Sequence, residues 1–117
     1  MAIAVATTNV STSAPVAAEM TDASGADVEL FLFVGDLPPI HQAFSVTTGT
    51  ASVPLDLPLG KHKCALVVTA FRHKNNMNRM YKVQVNVNGS LVAKAKGNIP
   101  ASRTNDTGSG DFTITVA

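Results

Sequence analysis

The chain has 117 residues, of which 45% are hydrophobic and 15% charged, with no Trp and a single Tyr. That is one domain's worth of sequence, large enough to bury a core, and it argues against a two-domain enzyme. The lone cysteine, Cys64, excludes an internal disulfide framework and a cysteine-based zinc site. Net charge is only +1, yet residues 1–60 carry six acids and no base, while residues 61–103 carry all nine bases and no acid. Such a split points to a polyanionic partner or to self-association of opposite patches; the plainer alternative is a solvated basic sheet balanced by its neighbours.

Residues 1–26 are rich in Ala, Thr and Ser. They read as an N-terminal arm, with an early strand near 2–7 and a possible helical turn over Ala14–Met20. Met1–Val5 lacks the basic start of a signal peptide, and no apolar run reaches the roughly 18 residues of a membrane span. A soluble protein without a membrane partner is expected. From residue 27 the chain reads as a single β domain. Turn residues at Asp36–Pro39, Thr48-Gly49, Pro58–Gly60, Asn88-Gly89 and Thr107–Gly110 separate runs rich in Val, Phe, Ile and Thr. The predicted strands are 28–34, 40–47, 50–56, 61–71, 80–87, 91–96 and 111–116. No helical period competes with them, so the fold class is antiparallel, mainly β.

The hairpin around Asn88-Gly89 is the clearest element. Tyr81, Val83, Val85 and Val87 alternate with Lys82, Gln84, Asn86 and Asn88, the pattern of a half-buried strand. A two-residue Asn-Gly turn is the commoner connection but would mix the faces. A three-residue loop pairing Val87 with Leu91 keeps Leu91, Ala93 and Ala95 on the apolar side. It sets Lys82 opposite Lys96 and Gln84 opposite Lys94, and two facing lysines repel unless an anion lies across them. If the last four strands run up and down, loops 72–79 and 97–110 emerge at one end. The first is basic and amide-rich, and the second is long enough to carry a function.

Little else bears chemistry. His41, His62 and His73 fall on separate segments without ligand spacing. Cys64 sits in an apolar run where a small buried hydrophobe belongs. No paired carboxylates, nucleophile elbow or phosphate loop occurs. The expectation is a protein that is not an enzyme and uses no cofactor or metal. The basic residues are the remaining signal: Arg72, Lys74 and Arg79 near a strand end, and Lys82, Lys94 and Lys96 on a sheet face, suit a phosphate backbone. Asn78, Gln84 and Asn86 add hydrogen-bonding groups for bases or riboses. Tyr81 alternates onto the apolar face, so stacking of bases on aromatics is poorly supported.

The stretch Lys61–Val87, with Asn78-Arg79-Met80-Tyr81-Lys82-Val83-Gln84-Val85-Asn86-Val87 at its centre, resembles the coat proteins of single-stranded RNA bacteriophages. The resemblance runs over about residues 49–117, through a hairpin, a long loop at 97–110 and a last strand at 111–116. It implies a five-stranded antiparallel sheet with an N-terminal hairpin at 28–47, dimerising and assembling into an icosahedral shell in a bacterial cytoplasm. It also implies RNA, the genome or a hairpin, bound on the inner sheet face. Arg72, Asn78, Lys82 and Gln84 match RNA-facing positions, with Asp111 and Thr113 as weaker candidates. The chain departs from the family in stopping at Ala117, without the two helices that lock the family's dimer. It also lacks the tyrosine near the last strand. The alternatives are an immunoglobulin-like sandwich serving as a binding or adhesion module, with Leu57–His62 as its corner, and a phage decoration or tail component.

Overall fold

The computed structural model describes residues 3–23, 27–44, 49–71, 80–99 and 104–117. They form ten strands and, among the described residues, no helix: β1 Ala6–Thr7, β2 Val10–Thr12, β3 Val16–Asp22, β4 Asp27–Val34, β5 Ile40–Phe44, β6 Gly49–Leu55, β7 Gly60–Phe71, β8 Met80–Val87, β9 Ser90–Asn98 and β10 Asn105–Val116. The mainly β class is as expected. The number of sheets is not. The strands divide into sheet A, in the order β1-β9-β8-β3-β6, and sheet B, in the order β2-β10-β7-β4-β5.

Alternation explains the two layers. Leu30, Leu32, Leu66, Val68, Phe112 and Ile114 of sheet B are buried, as are Ala18, Met20, Val83, Val85, Val87 and Val92 of sheet A, and all belong to one core. Each sheet therefore turns an apolar face inward, and each serves as the other's cover. Fully burying one such side chain stabilises the fold by roughly 1.5–3 kcal/mol. A lone sheet would leave this surface in water.

Three sequence expectations change accordingly. The last four strands are not one up-and-down sheet: β7 and β10 pair in sheet B, while β8 and β9 pair in sheet A. Consecutive strands β7 and β8 therefore belong to different layers, as do β9 and β10. Residues 97–110 are not one long loop, because β9 runs to Asn98 and β10 begins at Asn105. The N-terminal stretch is not an arm with a helical turn; Val16–Asp22 is a strand inside sheet A, between β6 and β8.

Before β3 the chain passes from one layer to the other. Ala6 and Thr7 pair with Lys94 and Ala93 of β9, then Val10–Thr12 run parallel to β10. Gly108 and Gly110 make room for this path. A side chain at Gly108 would collide with the Ile3 carbonyl, and one at Gly110 would come within 2.7 Å of the Thr7 methyl. The glycines that read as loop residues thus sit in a strand, where another backbone approaches closely. Ile3, only 3% exposed, closes that side of the core.

Candidate nucleic-acid interface

The outer face of sheet A carries the sequence-predicted basic residues that fall within the described part of the chain. Lys82 faces Lys96, Gln84 faces Lys94, and these side chains lie on the solvent side of β8 and β9. Asn86 joins them, half-buried and opposite Leu91. Arg72, Lys74, Asn78 and Arg79 lie outside the described residues. Asp111 and Thr113 are on β10 in sheet B, so the two weaker candidates do not share the lysine face.

The facing of the lysines is as expected, but the turn that produces it is different. Val87 pairs with Ser90 through a two-residue Asn88-Gly89 turn, with φ of +48° and +84°, the left-handed pair that favours Asn-Gly in hairpins. A bulge then restores the facing: Val85 opposes Ala93 while Asn86 opposes Leu91. Val92 is the inserted residue, and Val92 and Ala93 are both buried in succession. Leu91, expected inside, is 38% exposed beside the lysines. A β-bulge re-aims side chains in this way without sacrificing the buried pattern on either flank.

Asn88 ties the hairpin to the crossing segment. Its backbone N–H donates to the Ala17 carbonyl at 3.0 Å, and its side-chain carbonyl accepts the Ala17 N–H at 2.9 Å. Its amide nitrogen donates toward Thr12 Oγ1, the Ser13 carbonyl and the Pro15 carbonyl at 2.8, 3.2 and 3.0 Å. One turn residue thereby fixes both the register of the lysine hairpin and the path of residues 12–17.

The neighbouring strands extend the polar face. Glu19 pairs with Asn86 and Thr21 with Gln84 across β3, and Ser52 and Thr50 follow on β6, with the Thr21 and Thr50 hydroxyls 3.1 Å apart. Glu19 is the described carboxylate on this face. It is in register with Asn86, four residues or about 13 Å along β8 from Lys82. No described carboxylate forms an ion pair with Lys82, Lys94 or Lys96. The three ammoniums therefore raise the local potential together, and two of them face each other directly. A shallow groove of about 450 Å³ runs beside them, bordered by Ala4 and Ala6 of the N-terminal segment and by Leu91.

Sequence reasoning missed Glu19, Thr21, Thr50 and Ser52. The signal was the alternation of Val16, Ala18 and Met20 against Ala17, Glu19 and Thr21, muted because alanines occupy both faces. Tyr81 is 7% exposed and points into the core as expected. Burial, followed by the Asp106 carboxylate, raises its phenol pKa. It offers no ring to a base. Burial also pushes the Cys64 thiol up to about 11, which makes it a packing residue. Among the described residues no group of three metal-ligating side chains converges. His41 stacks on Phe31 at 4.5 Å, and His62 contacts the Pro58 carbonyl at 2.8 Å.

No family model matches the chain, and no curated protein or solved structure matches it either.

Proposed function

We propose that the chain is a non-enzymatic structural protein that holds single-stranded RNA against the outer face of sheet A and self-associates into a larger assembly. This is the role implied by its resemblance to RNA-phage coat proteins, whose shells enclose the genome. The carrying observation is the cluster of Lys82, Lys94 and Lys96 on an open sheet face, with no ion pair to them among the described residues. Facing lysines are a liability that an anionic backbone removes, and phosphate contacts need charge and geometry rather than aromatics. Gln84 and Asn86 stand beside them with amide groups for riboses or base edges. With sheet B sealing its apolar side, sheet A is free to present this face to a ligand.

One observation favours a second reading. The N-terminal chain switches from sheet A to run parallel to the last strand of sheet B, as in immunoglobulin-like sandwiches that act as binding modules. Size-exclusion chromatography of protein purified from bacterial cells, read at 260 and 280 nm and followed by negative-stain imaging, separates the two. The coat-like role predicts particles that elute early with nucleic-acid absorbance. A nucleic-acid-free monomer at low salt overturns it and leaves the sandwich module.

A further inference from the structure

A hollow on the outer side of sheet B holds two opposite charges that the fold does not use. Its volume is about 470 Å³, and Asn9, Phe33, Lys63, Ala65, Asp111 and Thr113 line it. The register of β4, β7 and β10 sets these side chains in two rows. Phe33, Ala65 and Asp111 stand side by side in one, and Lys63 and Thr113 in the next. Asn9 closes the second row from the side of β10 away from β7, where its Oδ1 accepts the Thr113 N–H at 2.9 Å. Phe33 is 39% exposed, and Lys63 and Asp111 are exposed as well. Diagonal neighbours on paired strands lie roughly 7–8 Å apart, so the Lys63 ammonium and the Asp111 carboxylate flank the hollow. No ion pair joins them, and among the described residues neither side chain has another ion pair or hydrogen bond. The Asn9 amide nitrogen likewise meets no described acceptor.

We infer that this hollow binds a free α-amino acid with an aromatic side chain. The charges decide the ligand class. A simple anion drawn to Lys63 would meet Asp111, and a simple cation drawn to Asp111 would meet Lys63. A neutral ligand seated between them would take both charges out of water with nothing to replace it. A zwitterion answers both at once, because its ammonium and carboxylate sit on one carbon and fit between diagonal neighbours. In that pose the carboxylate accepts charge-assisted hydrogen bonds from Lys63 Nζ and a further bond from Asn9 Nδ2, and the ammonium donates to Asp111. The side chain then lies over Ala65 and against the Phe33 ring, where aromatic pairs gain from offset or edge-to-face packing. An apolar floor with a few convergent polar groups, in a hollow of roughly 300–1,000 Å³, is the usual form of a small-molecule site. The hollow belongs to the other sheet from the lysine face and does not rest on the RNA reading.

Three ligands that share one ring separate the charges: L-phenylalanine, 3-phenylpropanoate, which lacks the ammonium, and 2-phenylethylamine, which lacks the carboxylate. Saturation-transfer difference NMR reads weak binding to the full chain whatever its state of assembly. Phenylalanine should give saturable ring signals, and each single-charge analogue should bind at least tenfold more weakly, the scale of one charged hydrogen bond. Asp111→Asn removes the charge that opposes an anion and should bring 3-phenylpropanoate to within about threefold of phenylalanine. Lys63→Met should do the same for 2-phenylethylamine. Both positions are exposed, and far-UV circular dichroism checks that each variant folds. Lys82→Gln/Lys94→Gln should leave all three affinities unchanged while weakening RNA binding, which separates this inference from the RNA reading. No saturable signal from phenylalanine at about 20 mM, an affinity weaker than the millimolar range, overturns the inference. So do equal affinities for the three ligands, or variants that leave their order as it was.

Discussion

Asn88 offers the most direct access to how this fold holds its lysine face. Replacing it with Gly keeps a residue at ease at φ +48° but removes the acceptor for the Ala17 N–H and the donor to the three oxygens of residues 12–15. These bonds are exposed, so each is valued at the low end, about 0.5 kcal/mol, and the one acceptor with the two N–H donors shared among three oxygens come to about 1.5 kcal/mol. Asn88→Ala loses the same bonds and adds roughly 1–2 kcal/mol for a left-handed residue with a Cβ, giving about 2.5–3.5 kcal/mol. Asn88→Asp retains the acceptor but directs a carboxylate at three oxygens, and should cost at least as much as Gly. Urea unfolding followed by circular dichroism measures the series, with m-values checked for constancy. The reasoning is refuted if Ala is no worse than Gly, or if Asp matches the unaltered protein. A constant 0.5 kcal/mol across all three variants would mean that residues 12–17 are held by something other than this turn.

Three further outcomes follow from other parts of the structure. Gly108→Ala should drive Ile3–Thr7 off the sandwich, because the new methyl meets the Ile3 backbone. Hydrogen exchange should then lose protection at the amides of Ile3 and Thr8, which bond to Thr107 and Val92, while the rest of sheet B is unchanged. Unaltered exchange there contradicts the close approach. Cys64, with its thiol pushed up to about 11, should react with a disulfide reagent at pH 8 at least about 100-fold slower than free cysteine, since only about one part in a thousand is thiolate. Labelling at the free rate would refute its burial. The same shift sets a pH dependence. The folded thiol holds its proton above the unfolded value of 9.0, so its contribution is intact below pH 9 and declines as pH rises toward 11. The slope is about 1.4 kcal/mol per pH unit. Tyr81, also raised, adds a decline in the same direction above pH 10. Cys64→Ala should therefore flatten the curve between pH 9 and 10 without abolishing the fall beyond it; an unchanged slope would show that Cys64 is not the cause.

Much of the local structure was legible in the sequence because period-2 alternation is a strong signal where one face is buried. Tyr81–Val87 announced its inner face, and the pairing of Lys82 with Lys96 followed from keeping that face intact. The layer count was not legible. Alternation shows that a strand has an apolar side but not what covers it, and β3, the strand that joins the lysine hairpin to β6, has alanines on both sides. In the sequence the Asn88-Gly89 turn poses a choice between turn type and face, whereas the bulge at Leu91-Val92 satisfies both. An inserted residue has no local composition cue when its neighbours are Leu, Val and Ala. Thr107–Gly110 reads as loop because small residues usually do; here the glycines are small so that Ile3–Thr7 can lie across them. The basic face was therefore visible in advance, but its hydroxyl-lined half on β3 and β6 was not.

The central claim, that the lysine face of sheet A binds an RNA backbone, is tested most directly by the salt dependence of binding. Fluorescence anisotropy with a labelled single-stranded RNA of about twenty nucleotides, repeated from 50 to 300 mM salt, gives the slope of log affinity against log salt. For single strands each phosphate contact contributes about −0.7. Replacing Lys82, Lys94 and Lys96 together with Gln should therefore make the slope shallower by about 2 and weaken binding at 50 mM salt by at least a hundredfold. A triple variant with the slope and affinity of the unaltered protein would show that RNA, if bound at all, is bound elsewhere.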